Sequence, residues 1–302
     1  MAKKNKSLIY NITMRAAWKT IKTLTSKPKN VGGLPGMVAV LHTFGSDMGY
    51  HIHVHTLVTF GGIDNQGQWQ WPKHKNKLAP YREISKEFRD IFLAMLNKAI
   101  KKNEIVPVEN MERVIQEMKN KRWNVRNEYP TANTEVLQRY LARYINRVAI
   151  SKSRLEYVAN QQKINDQVNI TYKDYREKVK GQPTPFAIKS IQPLVAINQF
   201  LSHVLPPYFQ KSRHYGIHSS VTFKRIEHLI PNKLKRNSDT VRLIFRILKF
   251  LAGLKPKVCE KCHHHEFSIS PLKADVKWIF NFITIPSYRA PPMKPNSARL
   301  EF

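Results

Sequence analysis

Two stretches early in the chain have the composition of adjacent strands. Residues 37–44 read MVAVLHTF and residues 52–60 read IHVHTLVTF, with the polar stretch GSDMG between them. Runs rich in β-branched and aromatic residues, bounded by glycine and polar residues, are typical of strands. A connection this short predicts that the two strands pair antiparallel.

Helical spacing of apolar residues marks three other segments, at residues 8–24, 85–102 and 134–150. The first is basic and is followed by a proline- and glycine-rich loop at residues 27–36. The second is expected to pack on the sheet through Phe88, Ile91, Phe92, Met95, Leu96 and Ile100. The third repeats Leu137, Leu141, Ile145 and Val148. Residues 122–125 and 168–175 are predicted as further strands, so the predicted fold class is α+β.

The net charge of the chain indicates which class of molecule it binds. The 302 residues include 51 lysines and arginines against 21 acidic residues, a formal net charge of +30, while 42% are hydrophobic and available for a core. A folded chain whose basic excess is spread along its length favours nucleic acid over other acidic partners. A ribosome-type protein or a simple solvated basic surface would share this charge.

The sequence shows neither a membrane span nor a secretory leader. No stretch approaches the roughly 18 uninterrupted apolar residues of a spanning helix, and MAKKNK at the N-terminus precedes no apolar signal core. Two cysteines, Cys259 and Cys262, are too few for a disulfide framework and fit a reducing compartment. We therefore expect a cytoplasmic protein with no membrane partner.

Strand alternation places three histidines on one face of the second predicted strand. His51, His53 and His55 share that face with Leu57, while Ile52, Val54 and Val58 lie on the other. Imidazoles two residues apart can share one metal ion, and a buried imidazole needs a hydrogen bond or a ligand. A hairpin register centred on the short loop brings His42 opposite His53 and completes a three-histidine site. Histidines that are merely hydrogen-bonded or exposed are the alternative.

A metal ion at such a site would serve phosphate chemistry. It would polarise a phosphate oxygen and leave coordination positions open for a substrate. Imidazole ligands favour Mn, Zn, Co or Ni over Mg, although cellular supply can still deliver Mg. We expect a divalent cofactor, Mg or Mn.

The predicted helix at residues 134–150 carries two tyrosines on one face. Tyr140 and Tyr144 are four residues apart, which places their Cβ atoms within about 6 Å. A phenol with a pKa of about 10 is a weak nucleophile and needs nearby cations or a metal ion to favour the phenolate. Taken alone, two amphipathic tyrosines are more often core or rim residues, so their interpretation depends on the histidines.

Arginines accompany the two tyrosines at helical spacing. Arg139, Arg143 and Arg147 repeat every four residues, and Arg154 ends the same basic segment. A ridge of guanidinium groups beside the hydroxyl groups suits phosphate recognition. These four arginines are the candidate DNA-binding residues.

The combination of His53, His55, Tyr140 and Tyr144 resembles the HUH endonuclease superfamily. Longer phrases resemble the two-tyrosine insertion-sequence transposases of the IS91 family, and the resemblance runs over most of the chain. These phrases are VLHTFG (40–45), HIHVHTLV (51–58), YLARYINRVAIS (140–151), YKDYR (172–176) and RHYG (213–216).

The resemblance implies rolling-circle transposition in a bacterial, nucleoid-associated setting. One tyrosine would cleave single-stranded DNA at an element end, leaving a 5′-phosphotyrosine and a free 3′-hydroxyl, and the second would serve strand transfer. It also implies an HUH-type antiparallel sheet flanked by helices. Family members usually begin with a cysteine-rich zinc-binding segment and an early strand, neither of which is visible before Leu8. A separate N-terminal fragment or self-association would supply what is missing.

These observations divide the chain into three predicted regions. Residues 1–36 form a basic helical remnant, residues 37–180 an HUH-like catalytic domain and residues 181–302 a basic, mainly helical DNA-binding part. Between residues 181 and 252 only Glu227 and Asp239 oppose eleven lysines and arginines. Cys259 and Cys262 form a CxxC followed by three histidines, which is half of a candidate structural zinc site.

Three other functions share parts of this pattern. A catalytically inactive DNA-binding remnant of a transposase would keep the charge and lose the metal site. A rolling-circle replication initiator or relaxase would use the same metal and tyrosine chemistry at a plasmid origin. A metal-dependent hydrolase of small molecules ranks last, because it gains nothing from so much positive charge.

Overall fold

A computed structural model of the chain describes residues 1–145, 149–159, 166–179, 181–226, 228 and 278–284. The helices are α1 (Lys6–Thr25), α2 (Tyr81–Lys101), α3 (Met111–Asn120), α4 (Thr134–Ile145), α5 (Pro193–Ser202) and α6 (Ser220–Ile226). The strands are β1 (Gly36–Phe44), β2 (Tyr50–Thr59), β3 (Gly62–Ile63), β4 (Trp69–Gln70), β5 (Val125–Asn127), β6 (Leu155–Val158), β7 (Gln167–Lys173), β8 (Phe186–Ile191), β9 (Ser212–Gly216) and β10 (Trp278–Thr284). Antiparallel sheets flanked by helices confirm the predicted α+β class.

The main sheet has five strands in the order β5-β10-β2-β1-β9, and every pairing is antiparallel. The predicted hairpin of β1 and β2 is confirmed. Its register pairs Met37 with Val58 and His42 with His53. Strand β2 therefore lies at the centre of the sheet, with β1 on one side and β10 on the other.

The apolar face of the β1–β2 hairpin packs against helices. Leu41, Val54 and Val58 are nearly inaccessible and belong to the same core cluster as buried residues of α1 and α2. The amphipathic pattern that predicted α2 explains this packing, since Phe88, Phe92 and Leu96 lie on its buried face. Because one face of β2 is used in the core, the alternate residues, including the histidines, lie on the other face.

Trp123 is a principal anchor of this core. Its ring is 1% exposed and lies 5.2 Å from both Phe88 and Phe92, measured between ring centroids. Its indole nitrogen donates a hydrogen bond to the Met118 carbonyl at the end of α3. The strand predicted at residues 122–125 begins at Val125 instead, because Trp123 is committed to the helical layer.

The RHYG phrase at residues 213–216 forms β9 at the sheet edge. Tyr215 stacks on Trp18 of α1 at 5.5 Å, and Arg213 donates to the Asn11 side chain at 2.5 Å. Gly216 has a φ of 60°, and a Cβ atom there would lie 1.9 Å from the Pro35 carbonyl oxygen. This phrase therefore attaches β9 to α1, and its glycine is required by close backbone approach.

A second antiparallel sheet contains β6, β7 and β8. Ile170 of β7 packs with Ile150 and Met48, so the loop between β1 and β2 rests on this sheet. In the YKDYR phrase, Asp174 is largely buried and accepts hydrogen bonds from the backbone and guanidinium of Arg176. That phrase forms a turn at the end of β7.

Several boundaries differ from the sequence predictions. Helix α4 does not extend to residue 150, because Ala149 and Ile150 leave the helix and are buried, Ile150 against the second sheet. Helix α2 begins at Tyr81 rather than residue 85, and α3 was not predicted. The described part of the chain after residue 181 contains three strands and two helices, a more mixed composition than the mainly helical part expected.

The three-region division remains a prediction, but core packing crosses its first boundary and strand pairing crosses its second. Helix α1 contributes to the main core, while β9 and β10 pair with β1 and β2. None of the helices in the described part of the chain combines the length and apolar character that a membrane crossing requires.

Replacement of Trp123 tests the assignment of this core. We expect Trp123→Ala to lower the free energy of unfolding by about 3–5 kcal/mol, because it leaves a cavity among packed aromatic rings. The half-exposed Trp71 is the matched control, and Trp71→Ala should cost less than about 1 kcal/mol. Urea unfolding followed by circular dichroism measures both, and equal losses would contradict the assignment.

Candidate active site

Three buried histidines meet on the face of the hairpin that is opposite the main core. His42 pairs across the hairpin with His53, and His55 lies two residues further along β2 on the same face. One ring nitrogen from each lies within 4.8 Å of the others, and the three residues are 1%, 7% and 2% exposed, respectively. The predicted approach of His42 to the other two is therefore confirmed.

Backbone carbonyls fix the protonation of two of these rings. The Nε2 atom of His42 lies 2.8 Å from the Tyr144 carbonyl oxygen, and Nδ1 of His53 lies 3.0 Å from the His51 carbonyl oxygen. A carbonyl oxygen only accepts, so each of these nitrogens carries the proton. In the neutral rings, Nδ1 of His42 and Nε2 of His53 therefore carry the lone pairs that a metal ion needs.

The donor set fits a divalent metal ion. Three imidazoles from two paired strands can hold one ion and leave coordination positions for a substrate. Hydrogen bonds from ligand imidazoles to backbone carbonyls are the usual outer-shell support of such sites. The residues present could thus bind a metal ion, and nothing in their arrangement selects one ion over another.

The two tyrosines of α4 lie directly beside these histidines. Tyr144 stacks on His55 with ring centroids 3.7 Å apart and lies 5.7 Å from His42. Tyr140 lies 4.6 Å from Tyr144 and 6.4 Å from His55, again between centroids. The imidazoles and the phenols therefore share one side of the sheet, as the sequence pattern required.

The surroundings of Tyr140 disfavour its charged phenolate form in the absence of a cation. Burial raises the pKa of Tyr140 well above its ordinary value, and the neighbouring Tyr144 and Glu128 raise this pKa further. A phenolate there would have to form against desolvation and against nearby negative charge. A cation held by the histidines would oppose both effects.

The candidate DNA-binding arginines lie in different surroundings. Arg139 is exposed and pairs with Glu135 on the outer side of α4. Arg154 is half-buried and donates to the backbone carbonyls of Thr171 and Ser46, so it joins the β1–β2 loop to the second sheet. The Arg143 side chain, Arg147, Cys259 and Cys262 lie outside the part that the structure describes, and their roles stay predictions.

Two residues near the site were not found from sequence. Lys211 donates through Nζ to the Ile145 carbonyl at 3.2 Å. His203 is buried between Thr43 Oγ1 (3.2 Å) and the Met48 carbonyl (2.9 Å), where burial lowers its pKa. Neither residue belongs to a periodic pattern in the sequence. The sequence signal for Lys211 is that it lies two residues before the RHYG phrase.

The chain is similar in sequence to known transposases. The family Y2_Tnp, described as "Putative transposase", matches residues 36–225. The chain is 31% identical over 226 residues to "Putative transposase y4qJ" of Sinorhizobium fredii (strain NBRC 101917 / NGR234), covering 72% of this chain and 54% of that protein. It is 27% identical over 186 residues to "Transposase for insertion sequence element IS801" of Pseudomonas savastanoi pv. phaseolicola, covering 60% of this chain and 42% of that protein.

The chain spans about half the length of the curated relatives it matches. No solved structure matches it. The family match extends from β1 to α6 and includes the histidine hairpin, the tyrosine helix and β9. Because that match takes in more than half of the chain, this protein belongs to the Y2_Tnp transposase family.

Proposed function

We propose that this protein cleaves and rejoins single-stranded DNA at the ends of an insertion sequence through a covalent tyrosine intermediate. The observation that carries the proposal is the convergence of Tyr140 and Tyr144 on the cluster of His42, His53 and His55. Such a reaction needs a nucleophile, a metal ion to activate the phosphate and positive charge to bind DNA. This chain has a candidate for each of the three. The names of the relatives, both transposases, also favour transposition.

The proposed cleavage step balances as a transesterification. The phenol oxygen of one tyrosine attacks the phosphorus, a bond forms between them, and the bond from phosphorus to the 3′-oxygen breaks. The tyrosine proton is lost, the departing 3′-oxygen gains a proton, and the products are a 5′-phosphotyrosine and a free 3′-hydroxyl. The reverse reaction, with a different 3′-hydroxyl as attacking group, joins strands, so no external energy source is needed.

Each group at the site has a distinct part in this proposal. Tyr140 and Tyr144 supply the two nucleophiles, and the three histidines hold the metal ion. When bound, a divalent ion would polarise a non-bridging phosphate oxygen and stabilise the charge of the transition state. Arg139 is exposed on the outer side of α4 and is proposed to contact the DNA backbone. Arg143, Arg147 and Arg154 are proposed to assist it.

Removal of both phenol oxygens tests the nucleophiles. Incubation of the protein with end-labelled single-stranded element-end DNA and Mg²⁺ or Mn²⁺ should give a covalent adduct that survives denaturing electrophoresis. Tyr140→Phe/Tyr144→Phe should abolish this adduct, since phenylalanine keeps the ring and removes the attacking oxygen. Each single variant keeps one nucleophile and should retain adduct formation in at least one case.

The matched control is Tyr208→Phe, because Tyr208 is fully exposed and lies outside the site. This variant should form the adduct as the wild type does. An adduct that persists in the double variant would place the nucleophile elsewhere. Salt-sensitive DNA binding without any adduct in the wild type would instead favour the inactive DNA-binding remnant.

Loss of one histidine tests the metal site. We expect one Mn²⁺ per chain in the wild type, and at least about 100-fold weaker binding in His53→Ala, because even outer-shell changes cost 10–100-fold. Isothermal titration calorimetry measures the stoichiometry and the affinity. The adduct should disappear with chelator and return when Mg²⁺ or Mn²⁺ is restored.

Two other histidines serve as comparisons. His74 lies away from the cluster, bonded to Asn30, so His74→Ala should bind Mn²⁺ as the wild type does. His51 lies outside the three-histidine cluster, and its backbone carbonyl, which accepts from His53 Nδ1, is retained by alanine. Although the His51 ring lies 5.0 Å from that of His53, His51→Ala should therefore also keep the metal. Strong binding in His53→Ala, or its loss in His51→Ala, would mean that the ligand set has been assigned wrongly.

A further inference from the structure

The end of the tyrosine helix is attached to the main sheet by two hydrogen-bond donors. His42 Nε2 donates to the Tyr144 carbonyl at 2.8 Å, and Lys211 Nζ donates to the Ile145 carbonyl at 3.2 Å. The donors come from neighbouring chain segments, since the Leu41 amide of β1 donates to the Lys211 carbonyl at 2.9 Å. Two consecutive carbonyls of α4 are therefore held from one place on the sheet.

These two contacts act together with the stacking of Tyr144 on His55, while the outer side of α4 is exposed. Glu135, Val136 and Arg139 are exposed, and none of the described side chains of α4 is fully buried. Carbonyl groups in the last turn of a helix carry a partial negative charge and lack the bonds that inner carbonyls make. A half-buried ammonium group placed on one of them forms a charge-assisted bond.

The His42 contact connects the helix to the candidate metal site. A ring whose Nε2 proton is shared with the Tyr144 carbonyl can bind a metal ion only through Nδ1. Coordination at Nδ1 withdraws electron density from the ring and makes the Nε2 proton a better donor. Metal binding should therefore strengthen the contact that holds the helix.

We propose that Lys211 is a positioning residue for the two tyrosines, and that Lys211 and His42 together couple the seating of α4 on the sheet to occupancy of the metal site. This inference rests on the proposed function for its biological meaning. Lys211 itself does not touch the reacting atoms in this proposal. Lys211 acts through the Ile145 carbonyl, and His42 acts both as a ligand and as a donor to α4.

Coupling of this kind is reciprocal. If the metal ion favours the seated helix, the seated helix must favour the metal ion by the same factor. An empty site would then hold the tyrosines loosely, and an occupied site would hold them beside the position of the phosphate. This coupling would limit DNA cleavage to protein molecules that already carry the metal ion.

Hydrogen exchange of the amides of residues 134–145, measured on the full chain with and without Mn²⁺, tests the coupling. Without metal, the amides of residues 134–145 should exchange roughly tenfold faster in Lys211→Met than in the wild type, as expected for loss of one charge-assisted bond. Lys211→Arg keeps a cationic donor and should restore slow exchange. Mn²⁺ should slow exchange of these amides in the wild type and have no effect on them in His53→Ala.

Lys102→Met is the matched control, because Lys102 is exposed at the end of α2 and its removal changes the net charge equally. It should exchange as the wild type does. Wild-type exchange rates in Lys211→Met would overturn the role of Lys211. Exchange that is unchanged or faster with Mn²⁺ in the wild type would overturn the coupling. If Lys211→Met fails to fold, the comparison of wild type with and without Mn²⁺, together with Lys211→Arg, still decides.

Failure of this inference can be distinguished from failure of the proposed function. A wild-type protein that shows the exchange pattern and forms no DNA adduct would keep the coupling and remove the cleavage activity. A protein that forms the adduct through Tyr140 or Tyr144, with exchange rates indifferent to Lys211 and Mn²⁺, would keep the activity and remove the coupling.

Discussion

Hydrogen bonding between β1 and β2 places His42 directly across from His53, and strand alternation then puts His55 on the same face. A shift of the pairing by one residue would move every side chain of one strand to the opposite face. The three imidazoles would no longer meet, and Leu41 or Val54 would leave the core. Because Val54 and Val58 are nearly inaccessible beneath the helices, the core enforces the same register that the site requires.

This arrangement explains how so many histidines can be buried without disrupting the domain. An imidazole removed from water needs a partner for each polar nitrogen. Two of these rings donate to backbone carbonyls, and those bonds leave the remaining nitrogens of the two rings suited to a cation. Burial, ring orientation and protonation are therefore consequences of the same backbone geometry, with α1 and α2 on one face of the hairpin and α4 on the other.

The tyrosine helix differs from the rest of the fold in how it is held. Helices α1 and α2 are fixed by apolar burial, whereas α4 leans on the imidazoles through Tyr144 and on two hydrogen bonds at its last carbonyls. Among the described contacts, ring stacking and hydrogen bonds hold α4 against the sheet, in contrast to the apolar packing of α1 and α2.

Sequence alone determined much of this protein. The alternation of β2 gave the histidine face, the short loop gave the partner of His42, and the spacing of Tyr140 and Tyr144 gave a common helix face, because these depend on local periodicity. The tertiary structure decided the contacts between distant segments, which sequence periodicity does not predict. It gave Arg154 hydrogen bonds to backbone carbonyls, used Trp123 as a core anchor, added β9 and β10 to the sheet and brought Lys211 to the end of α4. Those outcomes arise between residues far apart in the chain, where the hydrogen-bonding needs of one segment are met by another.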